Sequence, residues 1–145
     1  AANGPPLTPV SSHDAKVVVE NILEDSGRTP NYRGVPSALF TEPPAARVGM
    51  LESEARAAGL DFMVNTGSHP GWFSARRLNE EIYGHKLLVE NGTGRILGAH
   101  LVGPDADELI NIFGLAMRHG LTADDIKSTM FAYPTAASDA GYMLG

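Results

Sequence analysis

Tyr83-Gly84-His85-Lys86-Leu87-Leu88-Val89-Glu90, then Asn91-Gly92-Thr93-Gly94, then Arg95-Ile96-Leu97-Gly98-Ala99-His100-Leu101-Val102 stand in succession. The outer runs are rich in apolar residues. The four residues between them are turn formers, and two are glycines that take positive φ without strain. That is the pattern of a β-hairpin. Directly after it, Asp105 to His119 carries apolar residues at Ala106, Leu109, Ile110, Phe113, Ala116 and Met117. The spacing predicts a helix with one apolar face. Asp105, Asp107 and Glu108 lie near its positive end, Arg118 and His119 near its negative end, and Gly120 follows as a stop. A hairpin followed at once by an amphipathic helix points to a sheet with helices laid on it.

The neighbouring segments extend that reading. Thr8 and Pro9 suggest a hydroxyl N-cap with proline at the first helical position, opening a helix from about Pro9 to Leu23 that ends at Asp25-Ser26-Gly27. Arg28 to Gly34 reads as a linker. Val35 to Thr41 is a strand candidate closed by Glu42-Pro43-Pro44, because prolines cannot donate ladder hydrogen bonds. Glu52 to Ala58 is a short helix with Gly59 beyond it. Asp61 to Thr66 alternates as a strand does. Trp72 to Leu78 fits a strand or an irregular edge. Thr122 with Asp125 resembles a capping box, and Tyr133 to Leu144 ends in a further short helix. The expected fold is α+β, a mainly antiparallel sheet with helices packed on one face, and the first helix lies outside that core.

Composition narrows the function. The chain has 145 residues, 43% of them hydrophobic, enough for one domain with a real core. A formal net charge of -6 does not suit phosphate neutralisation, so nucleic acid is not an expected partner. No apolar run approaches the ~18 residues of a membrane span. No signal peptide is visible; location rests on a longer parent chain, with the cytoplasm as the default. There is no cysteine, so neither a redox-active thiol pair nor a thiolate metal site lies in this chain. His13, His69, His85, His100 and His119 show no metal-ligand spacing, and no metal is expected. Gly92-x-Gly94 sits inside the hairpin and reads as a turn, not a phosphate loop. Thr66, Ser68 and Ser74 lack the setting of a serine nucleophile.

Three pieces in order resemble a known family: Gly98-Ala99-His100-Leu101-Val102-Gly103-Pro104, the helix running to Arg118-His119-Gly120-Leu121-Thr122, and Tyr133-Pro134-Thr135. They are similar to the C-terminal interface (dimerisation) domain of the FAD-dependent pyridine nucleotide-disulfide oxidoreductases. Glutathione reductase, dihydrolipoamide dehydrogenase and mercuric reductase belong to that family. Pro36 to Pro44 resembles the first interface-domain strand, and Val48-Gly49 with Glu52-x-Glu54-Ala55-Arg56 resembles the next helix. Leu7-Thr8-Pro9-Val10 resembles the last part of the FAD domain. The resemblance implies residues 1–34 as the trailing FAD-domain segment and linker, and 35–145 as the interface domain.

It also implies a homodimer, FAD and NAD(P)H in a longer parent, and partners in the remainder of that flavoprotein chain. A first residue of Ala rather than Met fits the same reading of a fragment that binds no cofactor by itself and is not catalytic. Thr8 and Pro9 would face the flavin, where free N–H groups and the positive helix end stabilise negative charge. Family active sites draw their last motif, His-Pro-Thr-x-x-Glu, from the opposite subunit, and its His is an acid/base partner of a redox thiol. Here the His position is Tyr133 and the Glu position is Ser138, with Asp139 one residue late. An imidazole near ~6.5 exchanges a proton with a thiol at neutral pH, and a phenol near ~10 does not do so readily. Tyr133 then either lines the flavin or substrate site as a hydrogen-bond donor, or packs at the dimer interface. The motif also implies a cis bond before Pro134, with Glu42-Pro43 as a second candidate. A different class of reading is a non-enzymatic assembly or partner-binding module on the same fold.

Overall fold

The computed structural model describes residues 4–145. A helix α1 (Thr8–Glu24) precedes the sheet. Then come β1 (Ser37–Leu39), β2 (Ala45–Gly49), α2 (Glu52–Ala57), β3 (Phe62–Ser68), α3 (Phe73–Arg76), β4 (Gly84–Glu90), β5 (Ile96–Val102), α4 (Ala106–His119), α5 (Ala123–Ser128) and α6 (Ala136–Met143). The five strands form one antiparallel sheet in the order β1-β2-β5-β4-β3. The α+β class read from the sequence is the one observed.

The hairpin and the helix after it build the core. Leu87 and Ala99 are register partners, as are Ala99 and Val48, so they point to the same face. All three are buried, together with Leu109, Ile110 and Phe113 of α4. Each fully buried Leu, Ile or Phe contributes about 1.5–3 kcal/mol relative to exposure. On the opposite face, Gly98 lets the chain at Met50 approach: a Cβ there would meet the Met50 carbonyl oxygen at 2.2 Å. That approach seats α2 beside the sheet, where Glu52 Oε2 lies 3.0 Å from Lys86 Nζ.

Two local expectations are corrected, and one strand that had no assignment from the sequence is added. Thr8 is the first residue of α1 and not its cap; Leu7 holds the cap position and offers no side-chain hydrogen bond. Ala45–Gly49 is a strand, although two alanines and a glycine have low strand propensity. Pairing with β1 on one side and β5 on the other outweighs that propensity. Phe73–Arg76 is a single helical turn where a strand or irregular edge was expected. Four residues are too few to show a helical period, and the burial of Ser74 and Ala75 decides the conformation. By contrast, Thr122 and Asp125 do form the capping box: Thr122 Oγ1 accepts from Asp125 N at 3.2 Å, and Thr122 N donates to Asp125 Oδ2 at 2.7 Å.

Candidate functional site

Tyr133 stands in the loop between α5 and α6, its side chain 80% exposed. The Tyr133-Pro134 bond is cis, as is Glu42-Pro43. Thr135 closes the loop by capping α6. Its Oγ1 accepts from Ser138 N at 3.3 Å and donates to Ala132 O at 2.6 Å. Ser138 answers through its hydroxyl, which accepts from Thr135 N at 3.2 Å. A hydroxyl thus fills the third position of the box, which a carboxylate more commonly fills. The loop is tied down at Thr135, two residues from an exposed phenol.

Asp139 turns away from that cap. Its Oδ2 accepts from Ser74 Oγ at 2.7 Å and from Tyr83 OH at 2.8 Å. Ser74 and Tyr83 are 1% and 2% exposed. Burial pushes the Tyr83 phenol well above its usual range, and the Asp139 carboxylate that accepts its proton adds to the shift. Tyr83 therefore stays a donor at any ordinary pH. The carboxylate joins α6 to α3 and to the residue before β4. Sequence reasoning placed Asp139 near the loop but missed both partners, because nothing local marks contacts across 65 and 56 residues.

An aromatic stack lies beside this junction. His69 stacks on Trp72 at 4.0 Å and 7° between planes, and on His85 at 5.2 Å and 15°. Trp72 meets Tyr142 of α6 edge-on at 6.2 Å. His85 is buried and its Nδ1 has no hydrogen-bond partner among the described residues. Burial holds its pKa down at about 4, with the charge of His69 a smaller cause.

Two hollows flank the exposed phenol. One, about 490 Å³, is lined by Lys127, Phe131, Tyr133, Ser138 and Tyr142. The other, about 220 Å³, is lined by Trp72, Phe73, Tyr133, Pro134, Asp139 and Tyr142. Thr8 and Pro9 are elsewhere. Pro9 lines a separate hollow with Val10, His13, Tyr32 and Arg118, to which no residue of the Tyr133 loop contributes. Among the described residues the start of α1 has no side-chain cap and no acidic residue in its first turn. Among the described residues no group of three His, Cys, Asp or Glu side chains could hold a metal ion, and no helix is long and apolar enough to cross a membrane.

Comparison with known proteins places this geometry. Residues 35–143 match the family model "Pyridine nucleotide-disulphide oxidoreductase, dimerisation domain". The chain is 44% identical over 144 residues to an uncharacterized 19.7 kDa protein in the mercuric resistance operon of Staphylococcus aureus, covering 99% of this chain and 80% of that one. It is 34% identical over 132 residues to dihydrolipoyl dehydrogenase of Bacillus subtilis, covering 91% of this chain but only 28% of the dehydrogenase. Among solved structures, the Cu(II) complex of the HOCl-induced flavoprotein disulfide reductase RclA from Escherichia coli superposes with a TM-score of 0.88 at 32% identity. That superposition covers 97% of this chain and 32% of the reductase chain.

Proposed function

The chain belongs to the pyridine nucleotide-disulphide oxidoreductase dimerisation domain family, and from that premise we propose that it serves as the dimerisation domain of a cytoplasmic flavoprotein NAD(P)H oxidoreductase. It pairs with a second copy and delivers Tyr133-Pro134-Thr135 to the partner's flavin site. The observation that carries this reading is Tyr133 itself: a phenol 80% exposed, on a loop anchored two residues away by the Thr135 cap. A large exposed aromatic on a fixed loop suits contact with another molecule better than service to its own core.

The helix start fits its assigned part. Among the described residues α1 opens without a side-chain cap and without an acidic residue in its first turn, which suits a positive end facing an electron-rich ring. Thr8 and Pro9 would hold that end against FAD, and bound FAD would supply the electron-transfer chemistry. In one protomer the Tyr133 loop and Pro9 line different hollows. A site that uses both therefore draws them from two chains, as a two-fold dimer permits. Tyr133 acts there by donating a hydrogen bond and excluding water. Asp139 gives its Oδ2 to Ser74 and Tyr83, which favours an anchoring role for this carboxylate over orienting a proton relay. By itself the chain binds no FAD and is inactive.

The test is a flavin-loaded parent dimer carrying Tyr133→Ala. Altered flavin fluorescence with unchanged folding stability supports the reading, and an unchanged flavin signal contradicts it. A second reading, a stand-alone assembly module, draws on the match to a 19.7 kDa relative of which this chain covers 80%. The residues encoded before Ala1 discriminate the two: a dinucleotide-binding fingerprint favours the flavoprotein, and its absence favours the module.

A further inference from the structure

A row of side chains crosses the sheet on the face away from α4. Register sets Ser37 opposite Arg47, Arg47 opposite His100, and His100 opposite Lys86. Three basic residue types therefore stand side by side on β2, β5 and β4, with Cβ atoms ~5 Å apart. The chain as a whole has a formal charge of -6, so this row is a local exception.

Like charges directly opposite one another destabilise a sheet unless an anion offsets them. Lys86 has its anion in Glu52, 3.0 Å away. Arg47 has no carboxylate at ion-pair distance among the described residues. His100 Nε2 donates to Met50 O at 3.1 Å, which fixes the ring beside Arg47. The Arg47 guanidinium is thus anchored on a strand, beside the His100 ring, with no ion-pair partner among the described residues.

The pair opens on a groove of about 520 Å³ lined by Ser37, Leu39, Ala45, Arg47 and His100. Leu39 and Ala45 are register partners two residues along from Ser37 and Arg47, so they share the face. Polar donors sit at one end of the groove and an apolar floor at the other.

We propose that this groove binds a small organic anion, a carboxylate with an apolar body. The Arg47 guanidinium and the Ser37 hydroxyl take the carboxylate, and Leu39 and Ala45 take the body. The planar fork of arginine matches a carboxylate through two parallel hydrogen bonds. A bare inorganic anion would leave the apolar end empty, and a neutral chain would leave Arg47 unmatched. The groove lies within one protomer and away from the Tyr133 loop, so it is independent of the flavin-site reading.

The test is NMR titration of the isotope-labelled chain with hexanoate, hexanol and inorganic phosphate. Hexanoate should bind saturably and shift amide resonances at Ser37–Leu39 and Ala45–Arg47. Hexanol and phosphate should bind at least about tenfold more weakly, since loss of a charge-assisted hydrogen bond or of apolar burial has that size. Arg47→Gln should weaken hexanoate about tenfold, and Leu39→Ser should abolish any preference for longer carboxylates. Arg47 and Leu39 are exposed, so both variants should keep the wild-type spectrum elsewhere. Shifts mapping away from Ser37–Leu39, Ala45–Arg47 and the neighbouring His100, phosphate binding as well as hexanoate, or an Arg47→Gln chain that binds hexanoate unchanged would overturn the proposal.

Discussion

The Tyr83 hydroxyl donates to Asp139 Oδ2 at 2.8 Å, joining the residue before β4 to the helix that follows the Tyr133 loop. Ser74 donates to the same oxygen from α3. One carboxylate thus fixes α6 against the sheet, and the cis Tyr133-Pro134 loop is mounted on the N-terminus of α6. The exposed phenol depends for its position on a contact that the solvent hardly reaches.

Asp139→Ala should therefore destabilise the fold strongly. It leaves the hydroxyls of Ser74 and Tyr83 buried without their acceptor, at about 1–3 kcal/mol for each unsatisfied group. Tyr83→Phe should cost about 1 kcal/mol, since it removes a donor and leaves the carboxylate its Ser74 bond. Urea unfolding of both single variants and the double variant checks this. The pair should be non-additive, and additivity would mean that the two residues act separately.

Acid should weaken the protein through His85. Its folded pKa of about 4 lies below the ordinary histidine value, so between roughly 6.5 and 4 the unfolded chain binds the proton and the folded chain does not. The stability this contributes is whole above about pH 6.5 and declines as pH falls towards 4. His85→Leu should flatten the pH dependence of the unfolding free energy, read from urea melts, by about 1–3 kcal/mol across that window. A variant as acid-sensitive as the wild type would remove His85 from the account of acid lability.

Thr135→Ala should cost about 1 kcal/mol, the usual loss of an N-cap side chain. Ser138→Glu should be neutral or stabilising, because a glutamate at the third helical position can reach back to the Thr135 N–H as the serine hydroxyl does now. Thermal melts of the two variants read this directly: a lowered midpoint for Thr135→Ala and an unchanged or raised one for Ser138→Glu are the expected outcome.

Tyr133→Ala should change folding stability by no more than about 0.5 kcal/mol, as for other exposed positions without buried partners. Its effect should appear between chains, as weaker association in sedimentation. A large loss of monomer stability would mean that the phenol serves its own core.

The hairpin, α4 and the Thr122 cap were legible because each is a local pattern: a period of two, a period near 3.6, or a pair three residues apart. β2 was not, because Ala45-Ala46-Arg47-Val48-Gly49 has strand conformation imposed by its neighbours on both sides. α3 was too short to carry a period. Thr8 carried a capping residue type, but the helix starts on it. Of the candidate site, resemblance to a family motif singled out Tyr133 and Asp139. The partners of Asp139 come from α3 and from the residue before β4, and no local spacing relates them to it. Arg47 and His100 likewise become neighbours only through strand register.

Sedimentation equilibrium of this chain across a concentration series tests the dimerisation role most directly. A self-pairing domain predicts a reversible species of twice the 15.4 kDa chain mass, shifted towards monomer by Tyr133→Ala. A chain that stays monomeric at every concentration, with or without that substitution, would contradict it.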